Sequence, residues 1–337
     1  MKELHVGIVG ATGMVGQEFI KILDQRHFPV ASIHLFASDK SAGKSVTVRQ
    51  QKLTVQETSE DSFKGLDLVF FSAGTDVSKH FAPFAARAGA VVVDNSAAFR
   101  MDPDTPLVVP EINPEDCEHH HGIIANPNCS TIQMVVVLYP LHKVNPIKRV
   151  IVDTYQSVSG TGLPAVEELK STSRAVLDGK PAEPHVYPHQ IAFNMLPEID
   201  VFMENGYTKE EWKMVTETRK IMHAPDIAIS ATCVRVPSLI GHSEAVHVEF
   251  TRPMSPGEAR RILTEAPGVK VQDEPTAHVY PMPWTAAGQD DTFVGRIRED
   301  ASHPNGLAMW ICADNVRKGA ALNGLQIAEA MMERGWL

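Results

Sequence analysis

The chain predicts an α/β fold in two parts, on three observations. Its 337 residues exceed what one hydrophobic core usually covers. The first ~130 residues alternate short β-rich runs with helical patterns, the signal of parallel βαβ units. Beyond them the apolar runs lengthen and partly alternate, which predicts a second, α+β part on a mixed or antiparallel sheet.

In the first part LHVGIVG reads as a strand, MVGQEFIKIL as a helix and ASIHLFAS as a second strand. LDLVFFSAG and AVVVDNS are near-continuous apolar strands, as expected where both sheet faces are covered, with the helical VSKHFAPFAARAG between them. The Pro- and Asn-rich text of residues 102–114 predicts irregular structure. In the second part RVIVDTYQSVSG, IAISATCVRVP, SEAVHVEF and LAMWICADN read as strands. AVEELKSTSRAVL and TKEEWKMVTETRKIMH read as amphipathic helices between them. The last pattern, RKGAALNGLQIAEAMMERGW, is again helical and is expected to return to the first part. There is no internal repeat and no low-complexity linker, and Trp212, Trp284 and Trp310 read as packing residues.

An apolar content of 43% with 21% charged residues is that of a soluble globular protein. The formal net charge of -10 argues against a general nucleic-acid binder and against an anionic-membrane binder. The N-terminus reads as a mature strand rather than a leader. The longest apolar run, near Ile132, is broken by Pro140 and is too short to span a bilayer. Cys117, Cys129, Cys233 and Cys312 form no CxxC pair, a usage that predicts reduced thiols in the cytoplasm. His119 to His121 follow Cys117, but adjacent imidazoles point in different directions, so a solvated loop and no metal is the expectation.

The stretch GIVGATGMVG places Gly10, Gly13 and Gly16 between the first strand and its helix. Glycines there permit a tight turn and close approach to a pyrophosphate seated on the helix N-terminus. That context predicts a Rossmann-type dinucleotide-binding domain. An NAD site usually carries an acid at the end of the second strand. Here Ala37-Ser38 stand first, followed by Asp39, Lys40 and Ser41. Small hydroxyl residues with a lysine suit a 2′-phosphate, so NADP is the expected cofactor. The competing reading is a solvated loop, in which Asp39 is unremarkable.

IIANPNCSTIQMVVVLYPL delivers Cys129 from a polar turn to the start of an apolar segment. Cysteine is often a small buried hydrophobe. At a helix N-terminus, though, the macrodipole favours the thiolate, which is the nucleophilic form. Position alone leaves both readings open. Gln156 ends a strand that runs into Ser157-Val158-Ser159-Gly160, and Arg235 and His242 flank a Pro-Ser-Leu-Ile-Gly loop. A glycine loop between strands is expected to leave His242 near solvent, so that its replacement costs little stability.

Taken together, GATGMVG, DNSAAFRMD, VVPEIN, NPNCST, TYQSVSG, EEWKMVTETRKI, ATCVRVPSLIGHSEA and DNVRKGAA resemble the aspartate-semialdehyde dehydrogenase family, in order, from residue 7 to residue 321. The glycine loop alone is unspecific; the cysteine, glutamine and Arg-to-His motifs together are specific. The resemblance implies that Cys129 is the nucleophile forming an acyl-enzyme, His242 the general acid/base and Gln156 the residue orienting the acyl group. It implies Arg235 for the substrate α-carboxylate, Arg100 and Lys213 for phosphate, and Glu210 orienting nearby. Gly10, Thr12, Gly13, Met14, Val15, Lys40, Ser41, Ser159, Gly160 and Asn315 are implied to contact NADP. The family often has arginine where this chain has Lys40. Residues 1–128 with 316–337 then form the NADP-binding domain, and 129–315 a catalytic domain that also makes a homodimer. The implied reaction is reduction of aspartyl phosphate to the semialdehyde with release of phosphate. N-acetyl-glutamyl-phosphate reductase, a thiol hydrolase and a non-catalytic NADP-sensing protein are the alternatives. The Glu210-to-Lys220 segment and RVPSLIGHSEA favour the aspartate enzyme.

Overall fold

The computed structural model describes residues 2–337. The chain runs β1 Leu4–Val9, α1 Met14–Gln25, β2 Val30–Ala37, β3 Ser45–Val48, β4 Gln51–Thr54, β5 Gln56–Glu57, β6 Leu68–Phe71, α2 Thr75–Arg87, β7 Val91–Asp94 and β8 Ile123–Ala125. It continues with α3 Cys129–Val144, β9 Ile147–Gln156, α4 Leu163–Leu177, α5 Lys209–Ile221, β10 Ala228–Arg235, β11 His242–Phe250, α6 Pro256–Thr264, β12 Val269–Val271, α7 Pro283–Ala286, β13 Thr292–Glu299, β14 Gly306–Ala313 and α8 Leu322–Arg334. Two compact units result, Met1–Asn128 with Ala320–Leu337, and Cys129–Gly319.

The first unit holds a six-stranded sheet in the order β5-β2-β1-β6-β7-β8, parallel at every pairing. Its central strands bury side chains on both faces, which is why they read as unbroken apolar runs. On one face Phe19, Ile22 and Leu23 of α1 and Leu322, Leu325 and Met331 of α8 share a core with Leu4, Ile8 and Val93. On the other, Ala82 and Ala85 of α2 pack with Val9, Phe36, Phe63 and Phe71. The strand order reverses about β1, and in such sheets ligands bind at the carboxyl ends of the strands beside that reversal. The β3–β4 hairpin was not apparent in the sequence pattern; its strands are short and mostly exposed.

The second unit holds a mixed sheet, β10-β9-β11-β14-β13-β12. β10 runs parallel to β9 and β12 parallel to β13, while each neighbouring pair in the series β9, β11, β14, β13 is antiparallel. α3 is apolar nearly all round and buries Ile132, Met134, Val135, Val136, Val137 and Leu138, as a helix lying inside a core does. Pro140 sits within α3 without ending it. The sequence reading missed β12 and β13: β13 is TFVGRIRE, where Gly295 and three charges mask the alternation. Trp284 is not a packing residue, being 88% exposed, and Trp212 is also exposed; Trp310 packs against Tyr155. Among the described residues no helix is long and apolar enough to cross a membrane.

Gly16 shows what the first unit demands of its loop. A Cβ there would lie 2.3 Å from the Gly10 carbonyl oxygen, so α1 docks on β1 only with glycine at this position. Gly16→Ala is expected to lower stability to denaturant by about 1–3 kcal/mol, and unchanged unfolding would show that the loop can yield.

Candidate active site

In the first unit the glycine turn, the ends of β2 and β5 and the start of α2 enclose a cavity of about 490 Å³. Gly10 has φ +83°, which favours glycine, and a Cβ on it would meet the Ser72 carbonyl oxygen at 2.4 Å. By contrast Gly13, the N-cap of α1, is exposed and open. The amides of Met14 and Val15 stand in the first helical turn, where N–H groups lack intrahelical acceptors. A glycine turn lining this cavity just before the helix fits the pyrophosphate of a dinucleotide. Ser38, Asp39, Glu57 and Thr58 line the far end. Lys40 is exposed beside that lining, its amide donating to Asp39 Oδ1 at 2.8 Å. Ser41 meets Thr12 Oγ1 at 3.4 Å and accepts from Lys44 Nζ at 3.2 Å. Lys44 is thus a second loop cation that the sequence reading did not single out. Also in this unit, Arg100 is buried and donates from Nε to the Asn126 carbonyl and from Nη2 to the Asn95 carbonyl. Asp94 anchors the loop leading to it, accepting from both Ser78 and Ser96 hydroxyls at 2.7 Å.

The second unit brings together residues far apart in sequence. Arg235 lies beside Gln156 where β10 pairs with β9, and Ser243 opposes Tyr155 where β11 pairs with β9. The end of one strand therefore collects Gln156, Arg235 and His242 on adjacent strands. Gln156 Nε2 donates to Ser130 Oγ at 2.7 Å and to Glu210 Oε1 at 3.2 Å. That ties the strand end to the first turn of α3, where Cys129 is half-exposed. No acid stands in that turn to oppose the helix dipole. The other three thiols are buried, and burial pushes Cys117 and Cys312 up to about 12 and Cys233 well up too.

Glu210 and Lys213 come from α5, whose start is held by a capping box between Thr208 and Glu211. The Glu211 carboxylate also accepts from the Cys233 amide at 3.0 Å, pinning α5 to β10. Lys213 Nζ reaches Glu210 Oε2 at 3.1 Å and Asp200 Oδ2 at 2.8 Å.

His242 is not near solvent, contrary to expectation. Gly241 takes φ +90° against Pro283, and the next residue begins β11 with no exposed surface. Its Nδ1 accepts from the Ser157 amide at 3.1 Å, with Ser157 Oγ also at 3.1 Å. Arg235 Nη1 donates to the Ser157 carbonyl at 2.8 Å. His242 Nε2 and Arg235 Nε are buried without hydrogen-bond partners. Both residues face Gly160: a Cβ there would lie 2.9 Å from Arg235 Nη1 and 3.3 Å from His242 Nε2. Buried unpartnered polar atoms are rare and call for a ligand or another explanation.

Asn315 ties this corner together. Its Oδ1 accepts from Ser157 Oγ, Ser159 Oγ and the Gly241 amide. The sequence reading also passed over Gly319, in a π-helical turn at Arg317–Ala321. A Cβ on it would lie 2.8 Å from the Cys129 Cβ, so only glycine leaves the thiol its place. Such π turns often mark functional sites. Among the described residues no group of three or more His, Cys, Asp or Glu is arranged to hold a metal ion.

Models for the semialdehyde dehydrogenase NAD binding domain and dimerisation domain match residues 5–120 and 138–318. An aspartate-semialdehyde dehydrogenase of Synechocystis is 54% identical over 99% of each chain. The chain belongs to the aspartate-semialdehyde dehydrogenase family. Among solved structures, aspartate semialdehyde dehydrogenase II from Vibrio cholerae, complexed with ASA, aligns with a TM-score of 0.96 at 45% identity, covering 99% of both chains. A more distant family member, the Candida albicans enzyme with NADP, aligns at 0.79 and 28% identity over both full chains.

Burial, then the Arg235 cation, lowers the His242 pKa from 6.5 to about 3. Below about pH 6.5 the unfolded ring takes up a proton that the folded ring refuses until about pH 3, so this residue's contribution to stability falls across that window. The melting temperature of the wild type is therefore expected to fall more steeply with acid than that of His242→Gln. Parallel curves would contradict the burial of a neutral ring.

Proposed function

We propose that this chain catalyses the NADPH-dependent reductive dephosphorylation of L-aspartyl 4-phosphate to L-aspartate 4-semialdehyde through a cysteine thioester. The step serves lysine (through diaminopimelate), methionine and threonine biosynthesis. The observation that carries the reading is near full-length similarity to aspartate-semialdehyde dehydrogenases, one of them complexed with ASA. That similarity favours the aspartate enzyme over an N-acetyl-glutamyl-phosphate reductase and over a non-catalytic NADP sensor.

Cys129 attacks the acyl carbon; a C–S bond forms as the C–O bond to phosphate breaks, and the phosphate leaves with the electron pair. Backbone amides at the start of α3 stabilise the tetrahedral oxyanion. Gln156, held between Ser130 and Glu210, orients the acyl group. Arg235 grips the α-carboxylate, a role its unpartnered Nε supports. Arg100 and Lys213 bind phosphate, and Glu210 orients Lys213. His242 is the acid/base group, with Nε2 the ring atom available to the reacting group. Gly10, the Thr12–Val15 turn, Lys40 and Ser41, with Ser159, Gly160 and Asn315, hold NADP. Bound NADPH supplies a hydride to the thioester carbon. Collapse of the resulting hemithioacetal returns the electron pair to the Cys129 sulfur and frees the aldehyde.

The chain acts in the cytoplasm as a homodimer joined through the second unit. The match to a dimerisation domain supports the dimer. So does the open sheet face, where His247, Met309 and Trp310 line a depression with Tyr280 and Met282.

An NADPH-oxidation assay with aspartyl phosphate tests the reading, as does the reverse reaction with semialdehyde, phosphate and NADP. Cys129→Ser is expected to abolish turnover nearly completely in both directions while NADP binding survives, since serine lacks an accessible low-pKa nucleophile. Full activity in that variant would remove Cys129 from the mechanism.

A further inference from the structure

We propose that Glu168 is a positioning residue for the substrate: its carboxylate clamps residues 185–187 into a strap that sets Tyr187 against Thr161, beside Arg235. The inference rests on the reading that Arg235 receives the substrate α-carboxylate, and it adds Glu168, Tyr187 and Thr161 to that side of the site.

Residues 181–190 lie in no helix or strand, so their backbone N–H groups need partners from elsewhere. The stretch KPAEPHVYPHQ carries Pro184 and Pro188, which have no N–H to give. Between them stand three donors, and all three go to one side chain. The His185 amide donates to Glu168 Oε2 at 2.7 Å, the Val186 amide to the same oxygen, and the Tyr187 amide to Oε1 at 3.3 Å. Successive N–H groups turned to one point form an anion-binding nest, and here the anion is a buried carboxylate of α4. Hydrogen bonds from amides to an ionised carboxylate are about twice as strong as neutral ones.

The strap carries Tyr187 to the site. α4 opens at Leu163, just after the turn Val158–Thr161, and the strap brings the chain back from the far end of α4 to that turn. There the Tyr187 hydroxyl donates to Thr161 Oγ1 at 3.0 Å. Thr161 stands between Gly160 and Gly162, so its side chain is what the strap can hold there. Gly160 packs close to Arg235, since a Cβ on it would lie 2.9 Å from Arg235 Nη1. Burial pushes the Tyr187 pKa up, and the Arg235 cation is near enough to oppose that rise. The phenol therefore stays a protonated donor. The nucleotide side of the turn has supports of its own: the Ser159 amide donates to the Leu239 carbonyl at 3.3 Å, and its hydroxyl donates to Asn315 Oδ1. Loosening the strap thus disturbs the substrate end and leaves the nucleotide end in place.

Glutamine at position 168 keeps one acceptor oxygen but turns an NH₂ group toward an N–H of the strap. Glu168→Gln in the full-length protein is therefore expected to speed amide hydrogen exchange in the peptide containing residues 185–187. Tyr187→Phe removes only the hydroxyl. It should raise the KM for aspartate semialdehyde about three- to tenfold, the range of one ordinary hydrogen bond, with the KM values for phosphate and NADP unchanged. Thr161→Val should reproduce that pattern, and both variants keep the clamp should Glu168→Gln fail to fold. Because Glu168 acts through Tyr187, the double variant Glu168→Gln/Tyr187→Phe should lose no more than Glu168→Gln alone. Losses that add, an unchanged semialdehyde KM in Tyr187→Phe, or equal rises in all three KM values would overturn the inference. So would fast exchange at residues 185–187 in the wild type. A wild type with protected amides and no turnover would sink the proposed reaction while upholding the clamp.

Discussion

β9 is hydrogen-bonded on both sides, to β10 in parallel and to β11 antiparallel, and the corner that gathers Gln156, Arg235 and His242 depends on the register of those two ladders. Side chains alternate along a strand, so a slip of one residue turns every inward group outward. In the observed register Val150, Val152, Thr154 and Gln156 of β9 are buried, with Ala231, Cys233 and Arg235 of β10 and His242, Glu244, Val246 and Val248 of β11. Each valine in those rows is worth about 1.5–3 kcal/mol of burial. The apolar part of each strand therefore holds the register that its polar terminal residue needs. α3 lies over the same sheet, and Ser130 ties its first turn to Gln156.

Around that corner several buried polar groups hold one another. Glu210 bridges Gln156 and Lys213; Asn315 holds Ser157, Ser159 and Gly241; and Arg235 and His242 share the two ends of the Ser157 peptide group, one donating to its carbonyl and the other accepting from its amide. Such mutual satisfaction offsets the cost of burying charge and dipole. Arg235 Nε and His242 Nε2 are among the buried atoms left without a protein partner. The same logic separates the thiols. Cys117, Cys233 and Cys312 are buried among apolar groups or near acids, while Cys129 stands half-exposed at a helix start.

What the sequence made legible follows from which physical signals leave a trace in residue type. The parallel strands of the first unit were legible because burial on both faces writes an unbroken apolar run. The Gly10 turn was legible because its positive φ and the close Ser72 carbonyl demand glycine, and Cys129, Arg235 and His242 stood out through motifs whose proposed chemistry calls for those residue types. β13 was hidden by Gly295, which is required because a Cβ would strike the Gln272 carbonyl oxygen at 2.1 Å. His242 was misplaced in an open loop because the positive φ of Gly241, not His242 itself, turns the chain into β11. Ser157 and Gly319 act through a backbone amide and through the absence of a Cβ, and neither contribution has a side-chain signature.

The central claim is that this corner forms an acyl bond on one thiol among four. Mass spectrometry of the enzyme mixed with aspartyl phosphate and no NADPH tests it most directly. The account predicts an aspartyl group on the peptide containing Cys129, which disappears when NADPH is added. Finding no covalent acyl group in that mixture, or finding it on Cys117, Cys233 or Cys312, would contradict the account.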